Sequence, residues 1–409
     1  MPAGKDKLTF FMIIVMLGGS LLAGCWDRKE INSIGFAVGL GIDKDGESYQ
    51  VTTQLALPSM LVGDSGGPEA PVWVVGGQGR TIFEAIRDVN TRSARKPFWG
   101  HLNVIVIGEE VAKEGIIPVL DLLSRGQELR RSNYIVVAKG KGRDILEAEP
   151  KLESINAIFI SSLIENRTGQ SVAPAVTLND LLVCLSTAGT ECVLPQIAAL
   201  EQESYLPPKE AAEPAAGPEE GAEKPKQILE LRGGGIFKGD KLVEWMDEET
   251  TRGYLWAKGQ VKGGIIVVEN PLQPGSNISL EIKKNAGEIA TNFNNVPHEI
   301  TINVTAAFNL VENSGIVGLE EAGRIDELNK RAAEAVRKEI TKAIVLAQDN
   351  KADIFGIGEQ VKARHPQIWK QVKWSEIFPN LEIKVNVEAE TQEAAMTINP
   401  ISPPSQRSK

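Results

Sequence analysis

The chain holds three histidines and three cysteines, and their spacing limits the chemistry they can share. His101, His298 and His365 lie far apart, with no two at helical spacing, so a three-histidine metal site has no local framework. Each reads as a capping or packing residue. Cys25, Cys184 and Cys192 are too few for a disulfide framework and form no C-x-x-C pair of the zinc type. Cys184 and Cys192 flank the turn-like stretch Thr187-Ala188-Gly189-Thr190. Outside a membrane they can join as a disulfide, but the expectation here is two separate buried thiols. Gly39-x-Gly41 begins like a dinucleotide loop, yet Lys44 stands where a third glycine belongs and a hairpin follows instead of a helix. Gly233-Gly234-Gly235 lacks the lysine of a phosphate loop. No G-x-S-x-G elbow occurs, and no cysteine neighbours a histidine. The sequence therefore assigns no catalytic, metal-binding or cofactor-binding residue and no cofactor, and the expected protein is not an enzyme. Trp256, Trp369 and Trp374 suit either a partner-binding patch or a core.

The amino terminus carries chemistry of another kind. Lys5 and Lys7 precede an apolar run from Leu8 to Leu17, then Gly18-Gly19-Ser20 and Leu22-Ala23-Gly24-Cys25. A charged start, a short apolar stretch and small residues before a cut describe a secretory signal over residues 1–24. Leu-Ala-Gly-Cys resembles the lipobox of bacterial lipoproteins. The resemblance implies diacylglycerol on the Cys25 thiol and cleavage between Gly24 and Cys25. Trp26, beside the lipid, is an interfacial candidate, because indole rings favour the headgroup region. The apolar stretch is marginal against the ~20 residues that span a bilayer, and nothing after Glu30 approaches that length. Lipid is then the only expected anchor, and two acyl chains suffice at ~0.8 kcal/mol per buried CH₂. The formal net charge is −10. Residues 1–24 carry Lys5, Asp6 and Lys7, so the mature chain is still more acidic. That balance excludes nucleic acid as a partner and argues against a broad basic face on anionic lipid.

These residues need elements to position them. Gly35–Gly41 and Gln50–Leu55 read as strands about an Asp43–Gly46 turn, and Leu61–Ala70 reads as a loop. Thr81-x-x-Glu84 opens a helix whose Ile82, Ile86 and Val89 share a face. Leu102–Ile107 and Tyr134–Ala138 are buried strands, separated by a helix interrupted near Gly115. A short helix begins at Asp144. The alternation predicts a sheet with helical crossovers over residues 25–175. Residues 176–271 read as a small middle domain with hairpins at Gly239-Asp240 and within Val261–Val268. A Pro/Ala/Glu-rich segment, 207–226, interrupts it and is expected to be disordered. Over residues 272–396, Ile278/Leu280/Ile282, Ile300/Ile302/Val304 and Leu381/Ile383/Val385/Val387 alternate as strands. A helix from about Leu319 to Asn350, with a stripe through Ile325, Leu328, Ala332, Ala335, Ile340 and Ile344, packs on them. Residues 397–409 are expected to be a flexible tail. The fold class is α+β and multi-domain, each domain a mixed or antiparallel sheet with packed helices.

Taken in order, these segments resemble the Ger(x)C family, the lipoprotein C subunit of spore germinant receptors. The match starts with Gly24-Cys25-Trp26-Asp27-Arg28-Lys29-Glu30-Ile31 and continues through Gly39–Asp43 and Gly100–Glu109. Further on come Gly235–Val243, Thr251-Arg252-Gly253-Tyr254-Leu255-Trp256, Ala352–Gly358 and His365–Lys370. The order and spacing carry the resemblance more than any one motif. It implies a three-domain, lipid-anchored protein on the outer face of the inner spore membrane, with two integral-membrane subunits as partners. The family supplies no catalytic residues. The contrasting expectation is a solute-binding lipoprotein of a transporter, with two similar lobes around a cleft.

Overall fold

The computed structural model describes residues 9–13, 16, 34–56, 72–148, 155–201, 227–292, 299–314 and 323–394. Gly24, Cys25, Trp26, His298, the 61–70 loop, the 207–226 segment and the 397–409 tail lie outside them. Among the described residues, no helix is long and apolar enough to cross a membrane.

The first lobe is a mixed sheet in the order β3-β2-β1-β5-β6-β7-β8-β9, with β4 beside β1. Strands β1 (Ile34–Asp45), β2 (Ser48–Ala56) and β3 (Val72–Gly79) run antiparallel in sequence. β4 (Lys96–Phe98), β5 (Val104–Ile107), β6 (Tyr134–Ala138) and β7 (Val193–Glu201) join in parallel, while β8 (Gln227–Lys238) and β9 (Lys241–Met246) close the sheet as a hairpin at Gly239. β5 shows why the interior strands are apolar throughout. Val104 and Val106 enter one core while Ile105 and Ile107 enter the other, as a period of two requires when helices cover both faces.

Helices α1 (Ile82–Arg92), α2 (Glu109–Glu114), α3 (Ile117–Arg125) and α6 (Leu178–Ser186) cover one face. Helices α4 (Gly142–Glu147) and α5 (Asn156–Glu165) cover the other. The Thr81 hydroxyl caps α1 by accepting from Glu84 N, as its sequence predicts. The returning bond reaches one residue further back, from Arg80 N to the Glu84 carboxylate at 2.8 Å. Pro118 stands in the first turn of α3, where its missing N–H costs nothing.

The second lobe is a four-stranded sheet of β10 (Ile265–Glu269), β11 (Asn277–Asn292), β12 (Glu299–Asn313) and β13 (Ile383–Ala394). The first three are antiparallel and β13 lies parallel to β12. Between β12 and β13 come α8 (Arg324–Asp349), α9 (Ile357–Arg364), α10 (Pro366–Gln371) and α11 (Trp374–Ile377). Leu328, Ala332, Val336, Ile340, Ala343, Ile344 and Ala347 form the buried stripe of α8. Ile325 and Ala335, predicted on that stripe, are partly buried at its margin. α7 (Glu248–Ala257) leads from the first sheet and packs on α8.

Two expectations change. Residues 176–271 make no sheet of their own: β7, β8 and β9 extend the first sheet and β10 belongs to the second. The predicted hairpin within Val261–Val268 is a non-strand segment leading into β10, which pairs with β11 instead. The lobes also share a core, since Val193, Ile236 and Met246 of the first sheet pack in one cluster with Trp256, Ile278 and Phe308.

Candidate functional site

Among the described residues the two histidines do not converge. His101 sits against Phe36, ring centres 4.6 Å apart, while His365 precedes α10 in the other lobe. Among the described residues, no group of three or more His, Cys, Asp or Glu could hold a metal ion. Gly39 and Gly41 let the sheet and helices approach: a Cβ on Gly39 would lie 2.9 Å from Ala157 Cβ. Cys184 and Cys192 are joined as a disulfide, Cα atoms 6.0 Å apart, which corrects the expectation of separate thiols. The turn at Gly189, φ +93°, returns the end of α6 to the start of β7 and so brings the sulfurs together.

Three buried carboxylates organise the motifs instead, two within them and one, Glu339, that a third motif reaches. The Asp43 carboxylate, at the end of Gly39-x-Gly41, accepts from Gly142 N at 2.7 Å and Arg143 N at 2.8 Å, holding the start of α4. Burial pushes its pKa up, against the pull of those two donors. In Thr251–Trp256, Arg252 and Trp256 both donate to Glu339 of α8, with Arg252 Nε at 2.9 Å and Trp256 Nε1 at 3.0 Å. Burial opposes the Arg252 charge, but the Glu339 pair outweighs it, so the guanidinium pKa lies above its usual value. Gly253 sits where a Cβ would meet Glu339 O at 2.1 Å, so only glycine allows this helix crossing.

Asp353 is the third. Its carboxylate accepts backbone N–H bonds from Phe355, Gly356, Ile357 and Gly358, and one from Trp374 Nε1 at 2.9 Å. Burial pushes this carboxyl up, while the donors pull the other way. The turn it organises meets the first lobe. Glu191 N donates to Asp353 O at 2.8 Å, and Glu359 N donates to Gly189 O at 2.9 Å. Beside it, Trp369 and Trp374 lie 5.9 Å apart and pack partly buried on the second core, as Trp256 does fully. Glu339 and Asp353 are legible only as one acid on an otherwise apolar stripe and one acid between apolar residues.

What remains accessible and concentrated is an edge. β1, β4, β5 and β6 are parallel, so all begin toward one end of the sheet, β4 level with Ile34 and β5 and β6 level with Gly39. There Ile34 pairs with Lys96, Trp99 N donates to Glu128 at 3.2 Å, and Tyr134 N donates to Asn103 O at 3.0 Å. Phe36, Phe98 and His101 form an aromatic cluster with centres 4.6–6.2 Å apart. Lys96, Arg130 and Arg131 are exposed and Arg95 is half-buried beside Gly35. Among the described residues none of these four is ion-paired, whereas Arg92 pairs with Asp88 and Arg125 with Asp121. A pocket of about 270 Å³ between α1 and α3 opens next to them, lined by Phe83, Ile86, Trp99 and Leu129. The sequence signal for this edge is two dibasic steps, Arg95-Lys96 and Arg130-Arg131, in segments where Glu128 is the one acid.

Comparison with known proteins covers both lobes. The family model described as the spore germination protein N-terminal domain matches residues 27–199. The model described as spore germination B3/GerAC like, C-terminal, matches residues 232–394. Spore germination protein B3 of Bacillus subtilis (strain 168) is 27% identical over 94% of this chain and 96% of its own length. Spore germination protein KC of the same organism is 25% identical over 95% of this chain and 96% of its own. The crystal structure of the GerBC protein is similar in fold, with a TM-score of 0.51 and 21% identity over 88% of this chain and 99% of that one.

Proposed function

This chain belongs to the GerAC-like family of spore germination proteins, and we propose that it is the lipid-anchored C subunit of a receptor that triggers germination in response to nutrients. It is tethered through Cys25 to the outer face of the inner spore membrane and acts by binding two integral-membrane partner subunits. Its part is to couple through an interface rather than to transform a substrate.

One observation carries this reading. The match runs through both lobes in order, and three of the segments that resemble the family, Gly39–Asp43, Thr251–Trp256 and Ala352–Gly358, engage buried carboxylates that hold helices and join lobes. A chain built that way offers surfaces. Tethering then raises the local concentration of those surfaces, so a modest interface is occupied. A solute-binding lipoprotein is less well supported, because the two sheets differ in size and topology and share a core instead of flanking a cleft between matching lobes.

Two measurements test the proposal. Metabolic labelling with a fatty acid is expected to mark the protein and to miss the Cys25→Ala variant; label persisting on the variant overturns the anchor. Spores lacking the gene are expected to lose the response to one set of nutrients while germinating to stimuli that bypass the receptor. Normal nutrient germination of such spores, with no paralogue present, overturns the receptor role.

A further inference from the structure

We infer that the end of the sheet where Arg95 and Lys96 enter β4, with the Phe36–Phe98–His101 cluster, and where Arg130 and Arg131 lead into β6 docks on the anionic phospholipid surface of the membrane that holds the chain. The inference rests on the lipid-anchor reading above and adds an orientation to it.

Reach comes first. Ile34 opens β1 and pairs with Lys96. Nine residues separate it from Cys25 in sequence, and a chain extends at most ~3.3–3.6 Å per residue. With Cys25 in the bilayer, Lys96 is therefore confined to within roughly 30 Å of the headgroups, whatever path the chain takes.

Charge comes second. The protein as a whole is acidic, with a formal net charge of −10, so a random face would be repelled by anionic lipid. This edge has the opposite sign. Residues 93–103 contain Arg95 and Lys96 and no acid, and residues 126–134 contain Arg130 and Arg131 against Glu128 alone. Glu128 accepts from Trp99 N, so its charge is already engaged. The four cations have no carboxylate partner among the described residues. Cations left unpaired on an acidic protein, at the end that the tether draws toward phosphate, fit an external anion.

Apolar surface comes third. Phe98, Trp99 and His101 follow Arg95 and Lys96 in one segment and Phe36 pairs with Phe98, and rings with a polar rim suit the headgroup level. The mixture matches a lipid surface, which offers phosphate and the first acyl methylenes together.

The test uses the full lipoprotein on vesicles of phosphatidylcholine alone and of phosphatidylcholine with phosphatidylglycerol, read by hydrogen exchange. Exchange across residues 95–103 and 126–133 is expected to slow by about tenfold only with phosphatidylglycerol, and the slowing to vanish in high salt. The triple variant Lys96→Glu, Arg130→Glu, Arg131→Glu is expected to abolish it with an unchanged unfolding midpoint. Equal exchange on both vesicles overturns the inference. So does slowing that appears only when the integral-membrane partners are reconstituted alongside, which assigns the edge to protein instead. Flotation and fatty-acid label in the same samples separate the two readings. Labelled protein that floats without slowing leaves the anchor standing and removes the docking edge. Slowing of unlabelled protein on phosphatidylglycerol keeps the edge and removes the anchor.

Discussion

Glu339 is 8% exposed and accepts hydrogen bonds from Arg252 and Trp256 in a region closed to water by two packed helices. A buried pair of this kind is worth little over an apolar replacement, yet breaking it leaves the buried Arg252 charge with only the more exposed Glu248, 3.4 Å away. Glu339→Gln is therefore expected to destabilise the protein by about 3–5 kcal/mol, with Arg252→Met/Glu339→Leu recovering most of the loss. Denaturant titration of the three proteins checks this; a double variant as unstable as the single one removes the explanation. At the same scale, Asp88 joins β3 to α1 by accepting from Gln78 N at 2.9 Å and from Arg92. The Gln78 N–H, with the Arg92 guanidinium, holds its carboxyl below the usual range. A depressed carboxyl stabilises above its unfolded pKa of about 3.9, and the contribution is lost as pH falls through the folded value. Thermal midpoints measured from about pH 5 to about pH 2 should fall less steeply for Asp88→Asn than for the parent. Parallel curves would discard that role.

The elements were legible where period and punctuation agreed. β5, β6, the β8–β9 turn and α8 all follow from alternation, glycine or a helical stripe. Misreadings came where a local signal had two readings. Gly263-Gly264 looks like a hairpin turn, but Gly264 meets Gln170 of the first lobe and a strand begins only after it. Residues 176–271, with the 207–226 segment inside them, look like a domain of their own, but β7 and β8 on either side of that segment pair with each other as strands of the first sheet. An insertion in a hairpin and a linker between domains have the same composition. The disulfide was misread for a similar reason, since a spacing of eight residues suits a pair or two single thiols. Its consequence is local. By loop-closure entropy it contributes about 2–3 kcal/mol, and it fixes the loop whose Gly189 and Glu191 meet the Asp353 turn. Cys184→Ser/Cys192→Ser is expected to lose that stability and to speed exchange at Glu359 N more than at β5. Uniform acceleration would show that the bridge does not serve the seam.

Across the whole molecule the lobes are not separable. Val193, Ile236 and Met246 lie in the second lobe's core, and Ser171 Oγ accepts from Lys262 N and Gly263 N across the join. Calorimetry is expected to show one transition with equal calorimetric and van't Hoff enthalpies; two resolved peaks would mean the shared core is not cooperative. The basic edge stayed hidden in the sequence because its cations come from two segments that only the sheet brings side by side. The position of β13 bears on how the chain reaches this state. Among the described residues it is the last strand in sequence, yet it is the parallel neighbour of β12, pairing Ile383 with Ile300 about eighty residues upstream. Contacts so distant form slowly, because a long loop must close before any pairing is gained. Until β13 arrives, the β12 edge carrying Ile300, Ile302 and Val304 is bare and α8 lacks the strand it packs on most. The second lobe therefore stays an open sheet until nearly all of its described residues are available at once, and it closes in a single late step.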